Sequence, residues 1–415
     1  MVVGVISEWA KKKGINLVAT GDWTHPIWFR ELQTNLEEAG EGVYKLKGAS
    51  KESPFFLLST EISSIYSQGG KVRKIHILVF APSLSIVGKI NKELSIRGAN
   101  LLSDGRPIVG LSAKQVAEIA LSIDERCLII PAHAWTPHFS LYGSVSGFDS
   151  IEECFGELAG SIYAIETGLS SDPAMNWRIE DLATRKIVSF SDAHSPQKLG
   201  REATVFEMPE ISYANMRKAI MFDNPNARIL HTIEFYPEEG KYHYTGHRNC
   251  NVVYSPNETR KLGTICPVCG KVLTVGVASR VEELASQDIE TESTKDAFGV
   301  RWIKDKEGLR PPYVMIVPLL EILAESLGFG VGSQKVVNAY EMLVNRFGSE
   351  FGVLFSADCE EIAKLIGIRI AEGIAKVRLG DIAIEPGYDG VFGKVSIWKN
   401  KEEVKEDDFN QGILF

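Results

Sequence analysis

The sequence predicts an α/β fold with a mostly parallel sheet, open or closed. Three observations carry that expectation. Apolar runs of strand length recur through residues 1–235. Helical patterns bounded by Gly or Pro lie between them. Asp, Glu or His residues sit in these runs or at their ends, where parallel α/β barrels place catalytic groups.

Taken in order, residues 2–12 read as a helix. Ile15-Asn16-Leu17-Val18-Ala19-Thr20 reads as a strand ending in Gly21-Asp22, with His25 just beyond. Residues 27–39 read as a helix. Phe55-Phe56-Leu57-Leu58-Ser59-Thr60 is a strand ending in Glu61, and Lys74-Ile75-His76-Ile77-Leu78-Val79-Phe80 carries His76 within it. Residues 113–123 read as a helix. Leu128-Ile129-Ile130-Pro131-Ala132 ends in His133, and Ser161-Ile162-Tyr163-Ala164-Ile165 ends in Glu166. The most informative run is Ile187-Val188-Ser189-Phe190, which delivers Ser191-Asp192-Ala193-His194-Ser195. Residues i and i+2 of an extended chain point the same way. Asp192 and His194 therefore form a pair of metal ligands or an acid/base pair. One such string is weak, but its repetition along the chain strengthens it.

Composition narrows the class. A chain of 415 residues exceeds one ordinary domain, and 44% hydrophobic content supports a core. No run of 18 apolar residues occurs, so no membrane span is expected. The N-terminus lacks a basic segment and does not read as a signal peptide. Six Cys residues, three isolated and three clustered with His, suit a reducing cytoplasm and a metal rather than disulfides. The net charge of −9 argues against a uniformly basic nucleic-acid binder.

The chain divides near Pro237. The spacing His247-x2-Cys250-x15-Cys266-x2-Cys269 fits a tetrahedral structural Zn²⁺ site within residues 236–278. His243 is the alternative to His247. Four protein ligands leave no open position, so this site holds fold. In residues 279–415, 281–296 read as a helix plus linker, and 313–327 and 334–347 as amphipathic helices. Residues 361–380 have the pattern of a helix-hairpin-helix DNA-binding motif around Gly367 and Ile368. Its hairpin glycine opens backbone N–H groups to a phosphate, and Arg369, Lys376 and Arg378 add positive charge. An ordinary helical pair with solvated charges is the alternative. Residues 399–408 read as a mixed-charge solvated face.

The ligand series resembles the PHP (polymerase and histidinol phosphatase) superfamily. The strings Thr20-Gly21-Asp22-Trp23-Thr24-His25-Pro26, Ser191-Asp192-Ala193-His194-Ser195-Pro196, Gly246-His247-Arg248-Asn249-Cys250 and Glu385-Pro386-Gly387-Tyr388-Asp389-Gly390-Val391-Phe392-Gly393 narrow it. They resemble endonuclease Q over nearly the whole chain. That resemblance implies a distorted (β/α)7 PHP barrel, a zinc ribbon and a C-terminal helical module. It implies Asp22, Glu61, His76, His133, Asp192 and His194 as ligands of Mg²⁺, Mn²⁺, Zn²⁺ or Fe²⁺. Glu61 would bridge, and Asp192 would be both ligand and partner of the attacking water. It implies cutting of DNA 5′ to deaminated bases such as hypoxanthine and uracil, or to abasic sites, with a repair or replication protein as partner.

One departure stands out. The PHP pattern opens with a strand ending in His-x-His, and this chain has none. Its eight histidines are His25, His76, His133, His138, His194, His231, His243 and His247. The resemblance therefore implies an N-terminally incomplete barrel, either from a late-set start, the favoured reading, or from a real truncation that removes two ligands and one strand, with weak or no nuclease activity until that strand is supplied. Individual residues keep plainer alternatives. His76 could be a satisfied strand histidine, His25 a helix cap, Glu166 a supporting group and His231 structural. His138 could touch DNA. Trp23, Trp135 and Phe139 could line a pocket for an extruded base or simply pack. A small-monoester phosphoesterase and a non-catalytic damaged-DNA binder are the competing functions.

Overall fold

The computed structural model describes residues 2–103, 106–222 and 224–398; the charged run at 399–408 lies outside them. Helix α1 (Val3–Lys13) ends at Gly14 in the left-handed region. Strand β1 (Leu17–Ala19) follows, then α2 (Pro26–Asn35) with Pro at its first position, where the missing N–H costs nothing. The expected helix to residue 39 stops at Asn35, because Leu36–Gly40 pairs as strand β2 with β3 (Val43–Leu46).

The centre of the large sheet is a hairpin. Strands β4 (Phe55–Gln68) and β5 (Lys71–Ala81) run antiparallel, with Gln68 opposite Lys71. The turn is Gly69-Gly70, at φ 60° and 74°. Two consecutive positive φ values suit a two-residue turn whose twist matches the strands, and only Gly adopts both cheaply. β1 and β6 (Ile108–Val109) pair parallel with β4, while β3 pairs antiparallel with it. Between β5 and β6 lies α3 (Leu84–Ile96), capped by the Ser83 side chain. Helix α4 (Ala113–Ile123) starts with a Ser112–Gln115 capping box and matches the expected bounds. β7 (Leu128–Pro131) completes the seven strands, antiparallel to β5. The expectation of a mostly parallel sheet is thus corrected to a mixed one. The Gly-Gly hairpin returns the chain directly, where a parallel neighbour would need a long crossover.

After α5 (Ile151–Phe155), β8 (Ala164–Glu166) and β9 (Lys186–Val188) pair parallel, with α6 (Pro173–Trp177) between them. β10 (Ala203–Glu207) and, beyond α7 (Tyr213–Met221), β11 (Arg228–Glu234) begin a second, five-stranded sheet. A small unit follows: β12 (Thr245–His247), β13 (Val252–Tyr254), α8 (Pro256–Leu262) and α9 (Val277–Leu284). β14 (Thr291–Lys295), β15 (Arg301–Asp305) and β16 (Tyr313–Met315) then complete the second sheet, β16 lying parallel to β11. Residues 281–296 and 313–327, expected without strands, thus contain two. Helices α10 (Leu319–Leu327), α11 (Gln334–Phe347), α12 (Glu350–Phe355), α13 (Cys359–Ile366) and α14 (Ile368–Leu379) pack on this sheet, and β17 (Ala383–Glu385) pairs with β18 (Lys394–Ser396).

Two large apolar cores result. One packs α1, β4, β5 and α4; the other packs Ile233, Tyr236, β16 and the C-terminal helices. Among the described residues no helix is long and apolar enough to cross a membrane. Among them too, β1 pairs only with β4. The residues of β1 and of β10 both line one cavity of about 870 Å³, into which the strand-end acids and histidines open.

Candidate active site and metal centres

Glu61 lies within β4 and not at its end, because β4 runs on to Gln68. His76 faces Ser63 across the hairpin, and Glu61 faces Leu78. Glu61 and Ser63 share a strand face, so Glu61 lies diagonal to His76 on the same side. His133 follows β7, Asp22 follows β1, and Asp192 follows β9 by a few residues. These three non-glycine residues have φ of 30°, 43° and 41°. Left-handed backbone is strained for such side chains and collects at functional sites.

The donor atoms converge. Glu61 Oε1 is 2.8 Å from His76 Nδ1 and 3.2 Å from His133 Nε2, and the two ring nitrogens are 3.0 Å apart. Nitrogen and oxygen ligands ~2.0–2.2 Å from one cation stand about 3 Å from each other, so this donor set fits a cation. The opposite ring nitrogens are held outside the cluster. His76 Nε2 is 3.1 Å from Ser63 Oγ, and His133 Nδ1 is 3.3 Å from Thr136 Oγ1. Such partners fix the tautomer that presents a lone pair inward. The Phe139 ring packs 4.8 Å from the His76 ring, with Phe139 at φ 62°.

Electrostatics follow the same map. Burial raises the Glu61 carboxyl, but its close contacts with His133 and His76 outweigh it and hold the pKa far below the usual range. Burial lowers His76. For His133, Glu61 overrides burial and the pKa rises. Burial raises Asp22, and the neighbouring Glu61 adds to it. His194 is exposed, its Nδ1 3.8 Å from Asp192 Oδ1. Glu166 stands outside the cluster. Its Oε2 accepts the His133 backbone N–H at 2.8 Å, and burial raises its pKa to about 8.

Sequence reasoning missed two arginines. Arg201 donates to the Ser191 and Asp192 carbonyls at 2.7 and 2.9 Å, clamping that turn. Arg106 reaches the cluster itself. Its Nη1 is 2.9 Å from Glu61 Oε1 and 2.8 Å from His76 Nδ1, and its Nη2 is 3.4 Å from His194 Nε2. No periodicity marks a single Arg before a two-residue strand.

The remaining candidates resolve as follows. Trp23 and Trp135 are fully buried, Trp135 stacking on Tyr142, so they pack in the core and do not line a pocket. His25 occupies the N-cap position of α2 without a side-chain capping bond. His231 packs edge-on against Trp302, 4.8 Å between ring centroids. His138 is exposed beside Tyr242.

His247, Cys250, Cys266 and Cys269 form a second cluster, all ligand atoms within 4.8 Å of one another. His243 is buried outside it, its pKa lowered by burial to about 4, so His247 is the imidazole of this set. The segment from Glu385 to Gly393 folds against this unit. Asp389 accepts from Thr274 Oγ1 at 2.6 Å and from the Arg248 N–H at 2.8 Å. A Cβ at Gly393 would stand 2.0 Å from the Glu238 carbonyl oxygen, which explains that glycine.

In the C-terminal unit, α13 and α14 meet at Gly367, φ 108°, where a Cβ would meet nothing within 4 Å. Ile368 is 63% exposed. Arg369 lies over the Trp398 ring, and Lys376 pairs with Asp381 at 2.6 Å. Arg378 is buried and donates to the carbonyls of Val353, Leu354 and Ala357, so its expected role as surface charge is corrected to a structural one.

Fold and site together define a class: an α/β protein with a Cys3His cluster and, separately, a carboxylate–imidazole cluster of the kind suited to phosphoester chemistry. Two solved structures are similar over nearly the whole chain. One is the lesion-specific endonuclease PfuEndoQ from Pyrococcus furiosus, 33% identical, covering 99% of this chain and 94% of that one, with a TM-score of 0.79. The other is endonuclease Q in complex with a 27-mer duplex carrying an abasic lesion at the active site, 34% identical, covering 99% and 95%, with a TM-score of 0.80. The chain belongs to the endonuclease Q family. Uncharacterized protein YqxK of Bacillus subtilis is 28% identical over 94% of this chain and 91% of its own. Uncharacterized protein MJ0043 of Methanocaldococcus jannaschii is 34% identical over 65% of this chain, a stretch spanning 32% of MJ0043. A family model described as the MJ0043 C-terminal domain matches residues 318–381.

Proposed function

We propose that this protein is a metal-dependent DNA repair endonuclease that nicks 5′ to deaminated bases or abasic sites. The observation that carries the reading is the convergence of Glu61, His76 and His133 beside Asp22, Asp192 and His194, in a chain of this family. Those six residues would hold the divalent cations. Bound there, the cations supply an activated water and charge stabilisation of the leaving oxygen. Glu61, with two carboxylate oxygens, suits bridging. Asp192 suits orienting the water and accepting its proton at a carboxylate oxygen, on a turn that Arg201 fixes. Ser63 and Thr136 hold the rings of His76 and His133 in register.

The other units bind and brace. The Cys3His cluster suits a structural Zn²⁺, all four positions being filled by protein. The N–H groups of Ile368 and Arg369 at the start of α14 suit a backbone phosphate, with Gly367 leaving room for its approach. The functional units proposed are 1–235, 236–278 and 279–415, the first and third tied by the pairing of β11 with β16. Incubation of the protein with a labelled duplex carrying one deoxyinosine or one abasic site, with Mn²⁺, tests the reading. A discrete 5′ nick, by this chain or once a strand bearing His-x-His is supplied, supports it. Hydrolysis of small phosphate monoesters alone, or retention of the duplex without cleavage even with that strand supplied, overturns it.

A further inference from the structure

We propose that Arg106 contests the cation at the carboxylate–imidazole cluster and, once displaced, binds the scissile phosphate. The inference rests on the metal-dependent nuclease reading and concerns a residue that reading does not use. Arg106 Nη1 lies 2.9 Å from Glu61 Oε1 and 2.8 Å from His76 Nδ1. Those are the lone pairs that converge on a cation. A guanidinium N–H and a metal ion cannot share one ring lone pair, and two positive charges so close repel. Arg keeps its charge at all working pH values, so deprotonation offers no escape. Cation binding therefore expels the guanidinium from Glu61 and His76.

The destination follows from the surroundings. The Arg106 side chain is about one-quarter exposed, so a change of rotamer carries it outward without moving β4 or β5. Its Nη2 already faces His194, the most exposed member of the set. Among the described residues lining the 870 Å³ cavity, Arg106 is the sole Arg or Lys, amid Asp22, Glu61, Glu166, Asp192 and Glu202. A phosphodiester entering this acidic mouth meets one permanent side-chain cation. The planar guanidinium matches two phosphate oxygens at once. The same group thus neutralises Glu61 before the cation arrives and the phosphate afterwards.

The test uses the full chain and its Arg106→Gln and Arg106→Lys variants. Mn²⁺ binding is measured by calorimetry, and duplex cleavage by its KM and kcat. Expected for Arg106→Gln is Mn²⁺ binding tighter by about tenfold, since a competing charge is gone, with KM for the duplex raised by about tenfold, since a phosphate partner is lost. Arg106→Lys, which keeps charge without the fork, should fall between wild type and Arg106→Gln for Mn²⁺ and restore only part of KM. Mn²⁺ affinity unchanged or weakened in Arg106→Gln overturns the competition and leaves Arg106 a brace of the ligand set. Tighter Mn²⁺ with unchanged KM overturns the phosphate role. Wild-type protein that neither binds Mn²⁺ at this cluster nor nicks DNA, even with a strand bearing His-x-His supplied, overturns the nuclease reading instead.

Discussion

Replacing Lys13 by Met should destabilise the seam between the first helix and the C-terminal helices by about 3–4 kcal/mol at pH 7. Lys13 Nζ lies 2.6 Å from Glu350 Oε2, and the two side chains are 1% and 3% exposed. Glu350 Oε1 also accepts the Leu319 N–H at 3.1 Å. Met keeps most of the lysine's apolar length, so the perturbation is the loss of one charge. The carboxylate of Glu350 is then left uncompensated in a buried seam, which is costly. In the double variant Lys13→Met/Glu350→Gln the neutral amide keeps the Leu319 acceptor, and most of the stability should return, a signature that lost packing would not show. Urea unfolding of the four proteins at pH 7 measures the cycle. A single-variant cost below about 1 kcal/mol, or a double variant no more stable than Lys13→Met, would refute the reasoning.

Three further outcomes follow from the site and the fold. Asp192→Asn should abolish the nick, by about 10³-fold or more in kcat, while duplex retention on a gel persists; near wild-type cleavage would remove Asp192 from the chemistry. Cys266→Ser or Cys269→Ser should lower bound zinc by one equivalent and open residues 236–278 to protease, because metal binding stabilises so small a unit; unchanged zinc content would sink the site. Burial raises Glu234 to about 8, with Ser189 and Thr167 donating to it. The folded state then holds a proton that the unfolded chain has released, so stability should fall as pH rises from ~5 to ~8. Glu234→Gln should lessen that slope, to which Glu166 also contributes, in melting curves; an unaltered slope would place the titration elsewhere.

Local chemistry was legible in the sequence. The Cys and His spacing at 247–269 placed one cluster, because a knuckle forms from neighbouring residues whatever surrounds it. Helix α4 was readable from its helical pattern, and the apolar runs marked β1, β4, β5, β7, β8 and β9. Acids and histidines in or beside those runs flagged Glu61, His76, His133 and Asp192. Strand direction was not legible from apolar runs alone, since a buried run reads alike in a parallel or an antiparallel sheet. Only pairing decided that 36–40 is a strand and that β16 joins β11, because that depends on which apolar faces, distant in sequence, cover one another. The burial of Trp23, Trp135 and Arg378 was settled in the same way. So was the reach of Arg106 into the cluster. A lone Arg has no period or spacing, and its role is set by which lone pairs the folded chain brings to its side chain.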